Sequence, residues 1–192
     1  MEHSYETKML ILIVGDMHIP HRAFYIPPKI CENLTKGKIN HIICTGNLCT
    51  RAQVDKLKEY CDDIYIVRGT FDDDDVSDSD HHIISFGSFK LGVVSSFLIV
   101  PQGDKEGLAA TARELDVDIL CYGNTNGPKV FEIDQHLFIS PGSITGAFSS
   151  ESFSSKPSFV LLNIQGNTST IFSYTLNEDD TIQVDRSEYP SS

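Results

Sequence analysis

Short β-branched runs alternate with amphipathic ones through the first part of the chain. "MLILIV", "INHIIC" and "DIYIV" are each followed by a glycine and a polar residue, at Gly15-Asp16, Gly46-Asn47 and Gly69-Thr70. Between them, Pro28 to Leu34 and Arg51 to Tyr60 carry apolar residues at helical spacing. The order strand, helix, strand, helix, strand predicts a parallel sheet whose loops gather at the strands' carboxyl ends, where α/β proteins place their sites. The three glycine-marked ends are therefore expected to converge.

The pattern then changes. "HHIISFG" and "FKLGVVSSF", joined at Gly87-Ser88, predict a hairpin; a helix follows from about Asp104 to Leu115, and "DVDIL" leads into the loop "CYGNTNGPK". The last third, "VFEIDQHLFISPGS", "SFVLLNIQGNTSTIFSYTL" and "TIQVDRSEY", predicts antiparallel hairpins with turns at Asp134-Gln135, Gly166-Asn167 and Glu178 to Asp180. The expected whole is a mixed α/β domain, two packed sheets with helices outside. It spans residues 9–189, after a polar extension over residues 1–8 and before a tail over residues 190–192. "FSSESFSSKPS", Phe148 to Ser158, reads as a flexible surface loop.

Composition narrows the function classes. Fifteen Lys and Arg against 27 Asp and Glu give a formal net charge of −12, so nucleic acid is not an expected partner and a membrane surface is reached only indirectly. Five cysteines with no C-x-x-C pair read as free thiols in a reducing compartment, and the apolar run Met9 to Val14 is too short for a signal peptide. A cytoplasmic location is expected. In "FDDDDVSDSDHH" a calcium loop would need glycine at its sixth position and glutamate at its twelfth, where Ser77 and Ile83 stand. The six aspartates from Asp72 to Asp80 are thus expected to form a solvated acidic loop.

Candidate chemistry lies at the strand ends. "GDMH" can offer the Asp16 carboxylate and the His18 imidazole to one metal ion. It is followed in order by "TGN", "RGTFD" and "YGNTNG", and in this order the sequence resembles the calcineurin-like metallophosphoesterase family, over about Met9 to Gly146. The resemblance implies an α/β/β/α sandwich of two mixed sheets flanked by helices. It also implies seven ligand positions, of which only Asp16 and His18 keep the family residue. Asn47 stands for the metal-bridging aspartate, Thr70 for an asparagine, Ser95 for a lone histidine, and Asn124 and Asn126 for the last two histidines. A two-metal hydrolase relies on a bridging anion to hold its ions about 3.5–4 Å apart, and a neutral amide cannot supply that charge. The expectation is a site with no catalytic residue, no metal and no cofactor, with Asp16 and His18 a structural pair. The alternative is a metal-dependent phosphoesterase with a degraded ligand set.

Within this family "GDMHIPHR", "KINHIICTGNLCT", "PGSITGA" and "PSFVLLNIQ" look like the branch that serves as the small subunit of the retromer coat. That resemblance implies a non-catalytic scaffold in endosome-to-Golgi and plasma-membrane protein recycling, peripheral on endosomal membranes through the complex. Its partner would be the C-terminal end of the helical-repeat subunit Vps35, with Vps26 completing the retromer core. The apolar run Phe97, Leu98, Ile99, Val100 and Pro101, with Ile19 and Pro20 of the first loop, is expected to line the Vps35 face beside the degenerate pocket, since exposed apolar clusters mark partner sites. By the same resemblance Leu10, Leu161 and Tyr174 match a second patch for regulatory proteins.

Overall fold

The computed structural model describes residues 8–123, 127–148 and 155–190. Residues 1–7 of the expected residue 1–8 extension, Asn124, Asn126, much of the Phe148 to Ser158 loop and the end of the tail lie outside the described residues. No helix among the described residues is long and apolar enough to cross a membrane.

Eleven strands form two sheets. The first has six: β1 (Met9–Val14), β2 (His41–Cys44), β3 (Ile64–Ile66), β9 (Ser158–Gln165), β10 (Thr168–Leu176) and β11 (Ile182–Pro190). Their order is β11-β10-β9-β1-β2-β3; β1, β2 and β3 run parallel, and β9, β10 and β11 add antiparallel neighbours. The second sheet has five: β4 (His81–Phe86), β5 (Phe89–Val94), β6 (Ile119–Tyr122), β7 (Lys129–Ile133) and β8 (His136–Ser140), in the order β4-β5-β6-β8-β7.

Each expected hairpin forms, yet one does more than a hairpin requires. β7 and β8 pair antiparallel across Asp134 and Gln135, both at positive φ as a tight turn requires, and β8 then runs parallel to β6. The second sheet is mixed because this hairpin inserts its second strand first. The reason is burial: β6 and nearly all of β8 are inaccessible to water, whereas β7 is half exposed and suits an edge.

Three apolar layers hold the sandwich. Alternate residues of β1 divide between them: Ile11 and Ile13 face the second sheet with Leu91, Val93, Cys121 and Ile139, while Leu12 and Val14 face outward. On that outer side they meet Ile30 of helix α1 (Pro28–Asn33) and Val54 and Leu57 of helix α2 (Arg51–Lys58). Helix α3 (Lys105–Leu115) covers the other sheet with Leu108, Ala109 and Ala112. α3 begins where it does because the Asp104 carboxylate accepts the Gly107 N–H at 2.7 Å, and it ends at Asp116, which adopts a left-handed conformation. The architecture is the α/β/β/α sandwich of the calcineurin-like phosphoesterase fold.

Candidate functional site

The carboxyl ends of β1, β2 and β3 meet, and glycines make the approach possible. A Cβ on Gly15 would lie 1.9 Å from Thr45 Oγ1, and one on Gly69 would lie 2.2 Å from the Asn47 nitrogen. The loops after β1 and β2 then pair through their backbones: the Asp16 N–H donates to Gly46 O at 3.0 Å and the His18 N–H to Asn47 O at 2.9 Å. Of the eight non-glycine residues at positive φ among the described residues, four are here: Asp16, His18, Asn47 and Cys49. Each such conformation costs on the order of 1–3 kcal/mol and persists only where its surroundings hold it.

Two sets of hydrogen bonds do the holding. From beyond β8, Ser143 Oγ donates to Asp16 O at 2.6 Å and Thr145 Oγ1 to Met17 O at 2.8 Å, which gives the "PGSITGA" motif its task. From beyond β3 comes Asp72. Its carboxylate is buried and accepts the backbone N–H groups of Asn47 (3.0 Å), Cys49 (2.7 Å) and Gly69 (2.7 Å). The expected solvated acidic loop is therefore corrected at its first member. Asp73, Asp74, Asp75, Asp78 and Asp80 are exposed, whereas Asp72 clamps two of the site loops, because three converging N–H donors repay the burial of its charge.

Inside the cluster Asp16, His18 and Asn47 come together as expected. Asn47 Nδ2 donates to Asp16 Oδ1 at 2.7 Å, and Asn47 Oδ1 accepts the Phe71 N–H at 3.1 Å. His18 Nε2 lies 3.5 Å from Asp16 Oδ1. Asp16 Oδ2 and His18 Nδ1 are buried with no hydrogen-bond partner among the described residues. Ser95 is fully buried and donates its hydroxyl to Arg68 O at 2.6 Å, while Thr70 is exposed at the loop surface.

This donor set does not fit the two-metal centre that the fold family implies. Asn47 turns an N–H toward Asp16 where a bridging carboxylate would be needed, and Ser95 spends its proton on a carbonyl. Among the described residues no group of three His, Cys, Asp or Glu side chains is placed to hold an ion. Among the described residues, the arginines of the site loops are already engaged: Arg22 lies over the Phe71 ring (4.4 Å), Arg68 pairs with Asp74 (2.7 Å) and Arg51 with Asp55 (3.7 Å). The cysteines are no better suited to chemistry. Burial, then the Asp72 and Asp73 carboxylates, push the Cys49 thiol up to about 11, and burial raises Cys44 and Cys121 further, so all three stay protonated at neutral pH.

The rim is apolar and exposed. A 3-10 turn at Ser96–Leu98 follows β5, and Ser96 lies against Gly123 at the end of β6. Val100 is 81% exposed, Phe97 47% and Leu98 44%, and Pro20 and Pro101 are also exposed. Ile19 and Ile99, expected beside them, are buried: Ile19 packs with Met17 and Leu48, and Ile99 with Leu108 under α3. The turn breaks strict alternation and sends one residue of the run inward. Four exposed aromatics were not expected: Phe24, Tyr25, Phe71 and Phe148. The Arg22 guanidinium lies over Phe71, 5.5 Å from the Phe148 ring, and its Nη1 donates to Phe148 O at 3.2 Å. For Phe71 the signal available is a lone aromatic in a polar loop, "RGTFDDDD".

The second expected patch lies on the outer face of the six-stranded sheet. Leu10, Leu161 and Tyr174 are half-buried against the helix-side core, and the Tyr174 ring stacks on Phe159 with centroids 4.5 Å apart. Val184, in register with Tyr174 on the edge strand, extends it toward solvent.

Comparison with known proteins places this geometry. Residues 9–167 match the model of the calcineurin-like phosphoesterase superfamily domain. The vacuolar protein sorting-associated protein 29 of Schizosaccharomyces pombe is 38% identical over 185 residues, 94% of this chain and 98% of the relative. The crystal structure of Chaetomium thermophilum Vps29 superposes with a TM-score of 0.90 at 35% identity, covering 96% of this chain and 100% of that one. Wild-type Vps29 of Entamoeba histolytica, crystallised in complex with Zn2+, gives 0.86 at 38% identity, covering 94% of this chain and 99% of that one. With its sheets, its glycine-marked loop cluster and nearly its whole length matched, the chain belongs to the Vps29 family within the calcineurin-like phosphoesterase superfamily.

Proposed function

We propose that this chain is a non-catalytic scaffold subunit of retromer, acting in endosome-to-Golgi and plasma-membrane recycling. Its loop-cluster face caps the C-terminal end of the Vps35 solenoid, with Vps26 elsewhere in the core, and it reaches endosomal membranes from the cytoplasm through that complex. The supporting observation is the pairing of a closed interior with an open apolar rim. Asp16, His18, Asn47 and Ser95 are buried and largely bonded to one another or to the backbone, while Val100, Phe97 and Leu98 stand in solvent beside them. A large exposed apolar side chain gains about 1.5–3 kcal/mol on full burial, so a rim of this size can anchor a partner. The half-buried Leu10, Leu161 and Tyr174 suit a second, regulatory partner on the sheet face.

The test is calorimetric binding to the purified C-terminal half of Vps35. Val100→Asp is expected to weaken binding at least about tenfold, equivalent to about 1.4 kcal/mol, with the melting temperature unchanged. Unchanged affinity for both Val100→Asp and Leu98→Asp would remove the rim from the interface. The competing reading, a degraded phosphoesterase, draws on the unpartnered Asp16 Oδ2 and His18 Nδ1. It requires metal-stimulated hydrolysis of a phosphodiester that Asp16→Ala abolishes.

A further inference from the structure

The two-ion centre implied by the fold has a mechanical as well as a chemical role: ions shared between ligands from successive loops tie those loops together. In this chain the ligands that would do so are mostly replaced, yet the loops sit in close register, with Asp16 and Asn47 at φ values of 47° and 59°.

We infer that the Asn47 side-chain amide replaces the ions as the tie between the three loops, so that this site is assembled without a metal. The inference rests on reading the loop cluster as a degenerate phosphoesterase site. Asn47 sits after β2. Its Nδ2 reaches the loop after β1 at Asp16 Oδ1 (2.7 Å), and its Oδ1 takes the Phe71 N–H of the loop after β3 (3.1 Å). Its own backbone N–H goes to Asp72 (3.0 Å). One residue thus binds both neighbouring loops.

The direction of the amide is fixed by chemistry. Turned over, it would set its oxygen against the Asp16 carboxylate and its NH2 against the Phe71 N–H, two repulsive contacts in place of two bonds. A donor is therefore held at Asp16 Oδ1, where an ion would demand an anionic oxygen. Among the described residues the buried donors left over are Asp16 Oδ2 and His18 Nδ1, and these two fall short of the three protein ligands that an open zinc site uses.

Asn47→Asp should reverse the exchange. It sets a second carboxylate against Asp16 at hydrogen-bond distance, which is repulsive without a cation, and supplies a third ligand beside Asp16 and His18. Melting of the whole chain is measured in EDTA and in Mn2+ or Zn2+, together with calorimetric metal titration. The native chain is expected to melt at the same temperature in both and to give no stoichiometric heat. Asn47→Asp should melt at least ~3 °C lower in EDTA and recover with metal, and Asn47→Ala should melt lower without recovery. A stoichiometric ion that stabilises the native chain would overturn the inference, as would an Asn47→Asp protein indifferent to metal. The native titration decides even if a variant fails to fold. Because no step uses Vps35, failure here leaves the retromer reading standing, and loss of the retromer reading leaves this result intact.

Discussion

The floor and the rim of the loop cluster are a few residues apart in sequence and opposite in physics. The floor, built from Asp16, His18, Asn47, Asp72 and Ser95, is buried and polar, and it contains residues held in costly backbone conformations. The rim, built from the side chains of Phe71, Phe97, Leu98, Val100 and Phe148, is apolar and exposed. On the proposed function, the geometry that is reactive in a phosphoesterase serves here as framework, and the periphery supplies the binding energy. The difference predicts that floor substitutions act on stability and rim substitutions on association.

The largest effect should come from Asp72→Ala, which strands three buried N–H groups at once. Each unsatisfied donor costs about 1–3 kcal/mol, so a loss of about 3 kcal/mol or more is expected in urea denaturation. A loss under about 1 kcal/mol would mean that the floor is not framework. Next is Ile99→Asp, an unpaired charge forced beneath α3, expected to cost a comparable amount and to be separable from its exposed neighbour Val100→Asp, which should leave the urea midpoint unchanged. If the two behave alike in denaturation, the division between floor and rim fails at this turn.

Alkaline pH probes the floor more gently. The Cys49 thiol is held up to about 11 in the folded chain against an ordinary value near 9. Between these values the unfolded chain has released the proton that the folded chain keeps, so stability is full below pH 9 and falls as pH rises. The slope is of order 1 kcal/mol per pH unit for each such thiol, with Cys44 and Cys121 adding to it. Cys49→Ala should flatten the decline of the urea midpoint between pH 9 and 10.5, and an unchanged slope would contradict the assignment. Smallest of all is Phe71→Ala, which removes the face over which Arg22 sits. An exposed contact of this kind is worth about 0.5–1 kcal/mol, so its thermal signature should be slight while any effect on Vps35 affinity is larger.

Much of the fold was legible because two signals coincided. Gly15, Gly46 and Gly69 each close an apolar run, and their lack of a side chain is what lets the loops touch. The hairpins announced themselves through Asp134-Gln135 and Gly166-Asn167. The order of β6, β8 and β7 was not legible, since periodicity within a strand says nothing of which neighbour it pairs with. At the site, Asp16, His18 and Asn47 converged as the motifs implied. Asp72 was hidden because five solvated aspartates surround it with the same letter, and only the placement of three backbone donors singles it out. Ile99 and Val100 were indistinguishable as sequence, because a single 3-10 turn decides which of two similar side chains faces water.

The hydroxyl of Ser143 reaches back 127 positions to the carbonyl of Asp16, and β1 itself lies between β2 and the distant β9. Contacts so far apart along the chain form late and slow a domain's assembly. The loop after β1 therefore cannot take its shape until a segment more than a hundred positions downstream has been made, and the loop-cluster face is complete only when both are in place.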